Sequence, residues 1–336
     1  MRPRVVMFER RPFPHQHSIE QVFQLVRERL PERFDVVRVV APRYSTGIVN
    51  RVVSILDARR HQGDVNHIVG DVHFLALGLE PSRTVLTIHD AEFMERANAL
   101  KRWLYLWLWL RLPIHRSRVV VVPTDAVVDD LRRHVRVRAA KLRVIPDPVA
   151  PTFVEPSPPR AFDTEEPRVL VVGTRSNKNL ERSIRALEGM RVRLVVLGPL
   201  DAAQRDLLRR CDVSFEEHVD VPHERVVELY RGADLLLFPS TKEGFGVPIV
   251  EAQASGRPVV TSDLSPMRDV AGGGAWLVDP FEVSSIREGV RRVIEDTALR
   301  GHLVEAGRRN VGRFAPEAVA AAYAVVYDGV LSATSR

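Results

Sequence analysis

The chain has 336 residues, 45% hydrophobic and 27% charged, which excludes a single typical core and suits two ordinary soluble domains. One cysteine, Cys211, excludes an intrachain disulfide and a cysteine-based zinc site, and fits a reducing compartment. The net charge of +6 is uneven: residues 1–150 hold 25 Lys/Arg against 16 Asp/Glu, and residues 151–336 hold 24 against 27, so the first half expects an anionic partner.

The start of the chain runs almost directly into a strand, without the apolar segment of a signal peptide, so a cytoplasmic location is expected. Short β-branched runs then alternate with helical patterns, the signature of parallel α/β layers. In the first half, strands are predicted over 4–8, 35–40, 65–69, 84–88, 119–122 and 142–145. Helical patterns lie near 18–30, 49–62, 97–112 and 125–135.

The loop after the first strand carries Arg10, Arg11, His15 and His17 among prolines, either a solvated loop or one that meets an anionic ligand. His67 and Asp71 stand at the end of a later strand, and His89 and Asp90 at the end of the next. Polar groups clustered at strand ends point to a ligand-facing role. The stretch 103–110 is rich in tryptophan and leucine and flanked by arginines. It is too short to span a bilayer, and reads either as a helix buried against the sheet or as an interfacial helix. Peripheral contact with an anionic membrane is expected through 99–118.

Seven of the 23 prolines fall between 146 and 167, which reads as an extended linker. The alternation restarts with strands at 168–172, 193–197, 213–215, 234–238 and 258–261, and helices at 180–187, 202–210, 224–231 and 249–254. Three helical patterns close the chain, near 283–295, 298–311 and 316–331.

Two motifs in this half carry chemistry. Gly173 opens a strand-to-helix turn that includes Arg175, Ser176, Asn177 and Lys178, with Ser176 or Asn177 as N-cap. Lys178 then falls in the first helical turn, where the macrodipole disfavours a cation unless an anion lies between them; otherwise it is a solvated lysine. The second motif is Glu243-Gly-Phe-Gly-Val-Pro-Ile-Val-Glu251. Gly246 and Pro248 signal a helix start, whose free N–H groups seat a phosphate. Glu243 and Glu251 beside such a seat suit a ligand with hydroxyls at both ends, although Glu251 alone reads as a solvated helix acid. No His-Glu-x-x-His helix or Asp-x-Asp motif occurs, so no metal is expected. Nucleic-acid signatures are missing as well.

Taken together, the Glu243…Glu251 pair, the Gly173…Lys178-Asn179 turn, Ala252-x-x-x-Gly256 and Gly274-Ala-x-Leu-Val-Asp279-Pro280 resemble family-4 retaining glycosyltransferases of the GT-B fold. In the first half, Asn66-His-Ile68, Gly70-Asp-Val-His73 and Thr87-Ile-His-Asp90 look like a bacterial polysaccharide-type subgroup. The resemblance implies two Rossmann-like domains with a ligand cleft between them. These are an acceptor domain over 1–150, the linker over 151–167, a nucleotide-sugar domain over 168–315, and a final helix over 316–336 that crosses back.

The resemblance also implies that Lys178, with Arg175 and Gly173, binds the donor diphosphate, and that Gly244, Phe245 and Gly246 line the donor. Glu243 would hold the sugar hydroxyls, Glu251 the ribose, and His89 would lie near the transferred sugar. Arg10, Arg11, His15, His17, Asp71 and Asp90 stand on the acceptor side. The expected activity is retaining, metal-independent transfer of a sugar to a lipid-linked or saccharide acceptor. The nucleotide sugar serves as co-substrate, with no cofactor and no nucleic acid. The rival readings are a nucleotide-sugar epimerase of the same architecture and a catalytically silent nucleotide-binding subunit.

Overall fold

The structure, a computed structural model, describes residues 2–12, 18–90, 106–154 and 161–334. In chain order come β1 (Arg4–Glu9), α1 (Ser18–Arg29), β2 (Asp35–Val40), α2 (Ile48–Arg60), β3 (Val65–Ile68) and β4 (Thr84–Thr87). Next are α3 (Leu112–His115), β5 (Val119–Val122), α4 (Asp125–His134), β6 (Leu142–Val144) and α5 (Pro151–Val154). The alternation continues through β7 (Arg168–Val172), α6 (Leu180–Leu187), β8 (Arg193–Leu197), α7 (Ala202–Arg210), β9 (Ser214–His218), α8 (His223–Gly232) and β10 (Leu235–Phe238). It ends with α9 (Val247–Ala254), β11 (Val259–Ser262), α10 (Met267–Ala271), β12 (Trp276–Val278), α11 (Val283–Glu295), α12 (Thr297–Val311) and α13 (Pro316–Thr334).

The elements sort into two units: the first runs to Pro148 and takes in α13, and the second is Val149–Ala315. The first unit holds a parallel sheet of order β2-β1-β3-β4-β5-β6. Side chains of a strand alternate between faces, and both faces here are buried. Val5, Met7, Val65, Val85 and Val121 share one core with Phe23 of α1 and Val319, Tyr323 and Tyr327 of α13. Val6, Phe8, Ile68, Leu86 and Val120 face the opposite core, with Val127 and Leu131 of α4. The stretch 297–334 is long and apolar enough for a membrane span by length and composition, yet half of its apolar window is buried in the protein.

The second unit has the order β12-β11-β10-β7-β8-β9, again parallel. Val169, Val171, Leu194, Leu235 and Val260 pack on α6 and α11, and Leu170, Val195, Leu236 and Phe238 pack on Ile249 and Val250 of α9. In each sheet the strand order reverses once beside the first strand of the unit, between β1 and β3 and between β7 and β10. Loops diverge beyond the carboxyl ends of strands at such points, which leaves a crevice for ligands.

The proline-rich stretch departs from the extended linker expected over 151–167. Pro151 begins the helical turn α5, a position where its missing N–H costs nothing. Val149 and Phe153, 3% and 1% exposed, are core residues of the second unit. Residues 155–160 lie outside the described residues.

Candidate functional site

The β7/β10 switch point is built from two loops. Gly173 follows β7 with φ of +85°, and a Cβ there would lie 3.0 Å from the Lys178 side chain, so both conformation and room require glycine. A 3-10 turn, Ser176–Lys178, comes next, and Asn179 takes a left-handed conformation (φ +61°) before α6 starts. The expected helix start is thereby shifted: Asn179, not Ser176 or Asn177, occupies the N-cap position, and Lys178 precedes the helix. Asn179 Nδ2 donates to the carbonyls of Pro239 at 3.0 Å and Pro280 at 2.6 Å. Thr241 N donates to Asn177 O at 2.8 Å. The bonds to Pro239 and from Thr241 tie the turn to the loop after β10, which ends at Gly246 (φ +108°), the N-cap of α9, with Pro248 in the first turn.

Lys178 therefore meets a carboxylate rather than a helix dipole. Its Nζ is 2.7 Å from Glu243 Oε1, with the two side chains 20% and 12% exposed. The ammonium also lies 4.8 Å from the centroid of Phe238, a favourable cation–π contact. Asn177 Nδ2 donates to Lys242 O at 3.0 Å and lies 3.5 Å from Glu243 Oε1, while Asn177 Oδ1 is buried without a partner. A buried acceptor left open costs free energy unless a ligand donor reaches it.

The remaining donor-side residues divide. Glu251 lies on α9, where burial raises its pKa to about 7, partly offset by the neighbouring Tyr230 hydroxyl. Phe245 is buried: it is 6% exposed and its ring packs edge-on against Phe314, 5.5 Å between centroids. It anchors the loop in the core, and only its backbone is left for a ligand. Arg175 is exposed and lines a groove of about 420 Å³ with Arg182 and Arg185, which does not include Lys178 or Glu243.

The β1/β3 switch point of the first unit is organised differently. Arg10, 7% exposed, donates from Nε to Glu20 Oε1 at 2.8 Å and from Nη1 to Asp71 Oδ2 at 3.0 Å. The expected acceptor-side pair Arg10 and Asp71 is thus a cross-link among the β1 loop, α1 and the β3 loop. Arg11 is exposed, donates to Pro42 O at 3.1 Å and lies over the Tyr44 ring. Asp90 is exposed, and His15 and His17 lie outside the described residues.

His67 is a core residue. It is fully buried between the Tyr327 hydroxyl and Thr87 Oγ1, each 2.7 Å away, and burial, helped by the charge of His89, lowers its pKa to about 3. His89 differs. Its Nδ1 is 3.5 Å from Asp147 Oδ1, its side chain is 12% exposed, and its Nε2 is buried without a partner. Burial opposes its charge, but Asp147, then Asp71 and Asp90, outweigh that and raise its pKa. Asp147 was hidden in sequence among prolines, and only a parallel β6 beside β5 brings it to His89.

Of the stretch expected to meet a membrane, 106–118 are described. Trp109, Leu110 and Ile114 are buried in the core, and Trp107 is 36% exposed. Among the described residues, no cluster of three metal-ligating side chains occurs.

Two family models cover most of the chain. The one described as Glycosyltransferase Family 4 matches residues 2–153, and the one described as Glycosyl transferases group 1 matches residues 155–310. The chain belongs to glycosyltransferase family 4. Curated relatives include the O-antigen chain mannosyltransferase RfbU of Salmonella typhimurium, 25% identical over 217 residues, 62% of this chain and 60% of that protein. A D-inositol 3-phosphate glycosyltransferase of Xylanimonas cellulosilytica is 29% identical over 236 residues, 63% of this chain and 57% of that protein. Each match spans less than two thirds of the relative's own length.

Solved structures extend the likeness to the whole fold. A sucrose-phosphate synthase from Thermosynechococcus elongatus superposes with a TM-score of 0.77 at 18% identity, over 99% of this chain and 100% of that one. Anabaena HepE, crystallised with UDP and glucose, gives 0.75 at 16% identity, over 97% and 100%. WaaG, a glycosyltransferase involved in lipopolysaccharide biosynthesis, gives 0.71 at 17% identity, over 97% and 100%. This family-4 member has the GT-B fold.

Proposed function

We propose that the chain is a retaining glycosyltransferase. It moves a hexose-like sugar from a nucleoside-diphosphate sugar to the hydroxyl of a lipid-linked or saccharide acceptor, in cell-envelope or exopolysaccharide synthesis on the cytoplasmic side. The observation that carries this reading is the Lys178–Glu243 pair at the β7/β10 switch point, beside the open acceptor Asn177 Oδ1. A cation, a carboxylate and an amide oxygen suit a phosphate next to a polyol. Support for the setting comes from the relatives' names, O-antigen mannosyltransferase among them, and from the UDP and glucose in the HepE crystal.

Transfer breaks the bond between the anomeric carbon and the diphosphate oxygen and forms one to the acceptor oxygen. Negative charge grows on the departing diphosphate, and Lys178, in a largely water-excluded position, stabilises it. The free N–H groups at the start of α9 act in the same direction. The departing oxygen takes the acceptor's proton on the same face, which retains configuration and needs no carboxylate nucleophile. Glu243 and Glu251 orient sugar and ribose hydroxyls, and His89 acts at the transferred sugar. The absence of an Asp-x-Asp motif from the sequence makes the reaction metal-independent in this reading.

The test is incubation with UDP-, GDP-, ADP- and dTDP-hexoses, with and without a lipid-linked saccharide, following nucleotide release and the anomeric proton by NMR. Acceptor-dependent release with retained configuration, unaffected by a chelator, supports the proposal. Conversion of the sugar without acceptor identifies the epimerase instead, and nucleotide binding without turnover identifies the silent subunit.

A further inference from the structure

The parallel sheet of the first unit has two chemically different ends. Arg10, Asp71, His89 and Asp147 all follow strands, at the carboxyl end. The segments 111–118 and 135–141 precede β5 and β6, at the amino end, about 13 Å of strand away. Between residues 111 and 143 the chain holds nine Lys/Arg and three Asp. In the run 135–138, Val135 and Val137 pack toward the core while Arg136 and Arg138 stand exposed.

These arginines line a cleft of about 740 Å³ with Arg111, Arg132, Arg133 and Lys141. Arg132 and Arg133 have carboxylates at 3.6 Å and 2.9 Å on α4, and Lys141 donates to the carbonyls of Ile114, His115 and Ser117. Among the described residues, Arg136 and Arg138 have no carboxylate partner. Burial, and after it the charges of Arg138 and Arg118, lower the pKa of Lys141.

A second groove, of about 790 Å³, continues the first through Arg138 and Lys141, and is edged by Arg118 and Arg143. Its floor includes Val144 and Val325, 44% and 72% exposed. The Arg111 guanidinium lies 5.0 Å from the ring of the partly exposed Trp107.

We propose that this amino-end surface docks the protein on an anionic phospholipid bilayer, with Arg136 and Arg138 on lipid phosphates. This deepens the peripheral-membrane expectation for 99–118 and rests on it, and places the contact at the arginine cleft and Trp107, since Trp109, Leu110 and Ile114 are buried in the core. The charge selects an anionic partner, and guanidinium groups match phosphate geometry. The exposed Val325 and Trp107 select a lipid surface over a soluble phosphate, because a headgroup layer takes charged and apolar groups together. Docking by this end leaves the carboxyl-end loops of the first unit free for substrate.

The test is co-sedimentation of the full chain with phosphatidylcholine vesicles, with and without phosphatidylglycerol, for wild type, Arg136→Ala/Arg138→Ala and Lys178→Ala. Expected is salt-sensitive binding to the anionic vesicles alone, weakened roughly 30-fold in the double variant. Lys178→Ala binds vesicles as wild type does, and the double variant keeps wild-type melting and nucleotide binding, so vesicle binding and sugar transfer fail separately. Equal binding to both vesicles, undiminished binding by the double variant, or displacement by inorganic phosphate far beyond chloride of equal ionic strength would each overturn the proposal.

Discussion

The two switch points share a sheet logic and use their charges in opposite ways. At β7/β10, one lysine and one carboxylate pair across two loops, with a buried amide oxygen left open beside them. At β1/β3, a nearly buried arginine engages two carboxylates, and its charge is already matched inside the protein. A strand-end location alone therefore does not make a site. What distinguishes the first region is hydrogen-bonding capacity that the chain does not itself fill; in the second region, among the described residues, only His89 Nε2 has that property.

The comparison can be broken most directly at Lys178. Lys178→Ala is expected to lower sugar transfer by about 10²–10³-fold while the protein stays folded, since it removes a donor aimed at developing charge. Steady-state rates beside a melting curve check this. Arg10→Ala should do the reverse. Leaving Glu20, 12% exposed, without its partner costs about 3 kcal/mol in urea unfolding, with nucleotide affinity unchanged. A stable Arg10→Ala protein that loses turnover would place the arginine in the site and erase the contrast.

Glu251 sharpens the account of the second unit. Its folded pKa of about 7 lies above that of an unfolded glutamate, so the folded state holds the extra proton between them. Stability then falls as pH rises from the ordinary carboxylate range through about 7, by roughly 2–3 kcal/mol, and levels off above. Glu251→Gln is expected to remove that fall in unfolding curves taken at pH 5 and pH 8.

The smallest effect concerns His89. Asp147→Asn should lower its pKa, read by NMR of the imidazole, while His67 stays neutral across the same range. Because the folded pKa of His89 is raised, the stability from its pair with Asp147 is present at low pH and is lost as pH rises through that pKa.

The fold was largely legible because strands buried on both faces read as continuous apolar runs. The predicted 119–122, 168–172 and 193–197 match β5, β7 and β8 residue for residue. The misses are short or depend on distant partners. β12 has three residues among glycines, and α10 has five, too few for a period to show. Pro148 and Pro151 look like extended chain in sequence because the burial of Phe153 beside them comes from tertiary packing.

In the site, residue types were readable but pairings were not. Lys178 and Glu243 each stand out in sequence, yet their contact spans 65 positions and depends on β7 lying beside β10. His67 looked like a site residue because its partner Tyr327 is 260 positions away, on a helix that joins the first unit. Ser176 and Asn177 both suit a cap in sequence, and the left-handed Asn179 moves the helix start past them.

The most direct measurement is calorimetric titration of wild type and Lys178→Ala with UDP, GDP, ADP and dTDP. The account predicts binding of one nucleotide by wild type, weakened at least tenfold in the variant, consistent with loss of a charge-assisted contact of 1.5–3 kcal/mol or about that size. Equal affinity in both proteins, or no binding of any of the four, would contradict the assignment of the Lys178–Glu243 pair as the diphosphate seat.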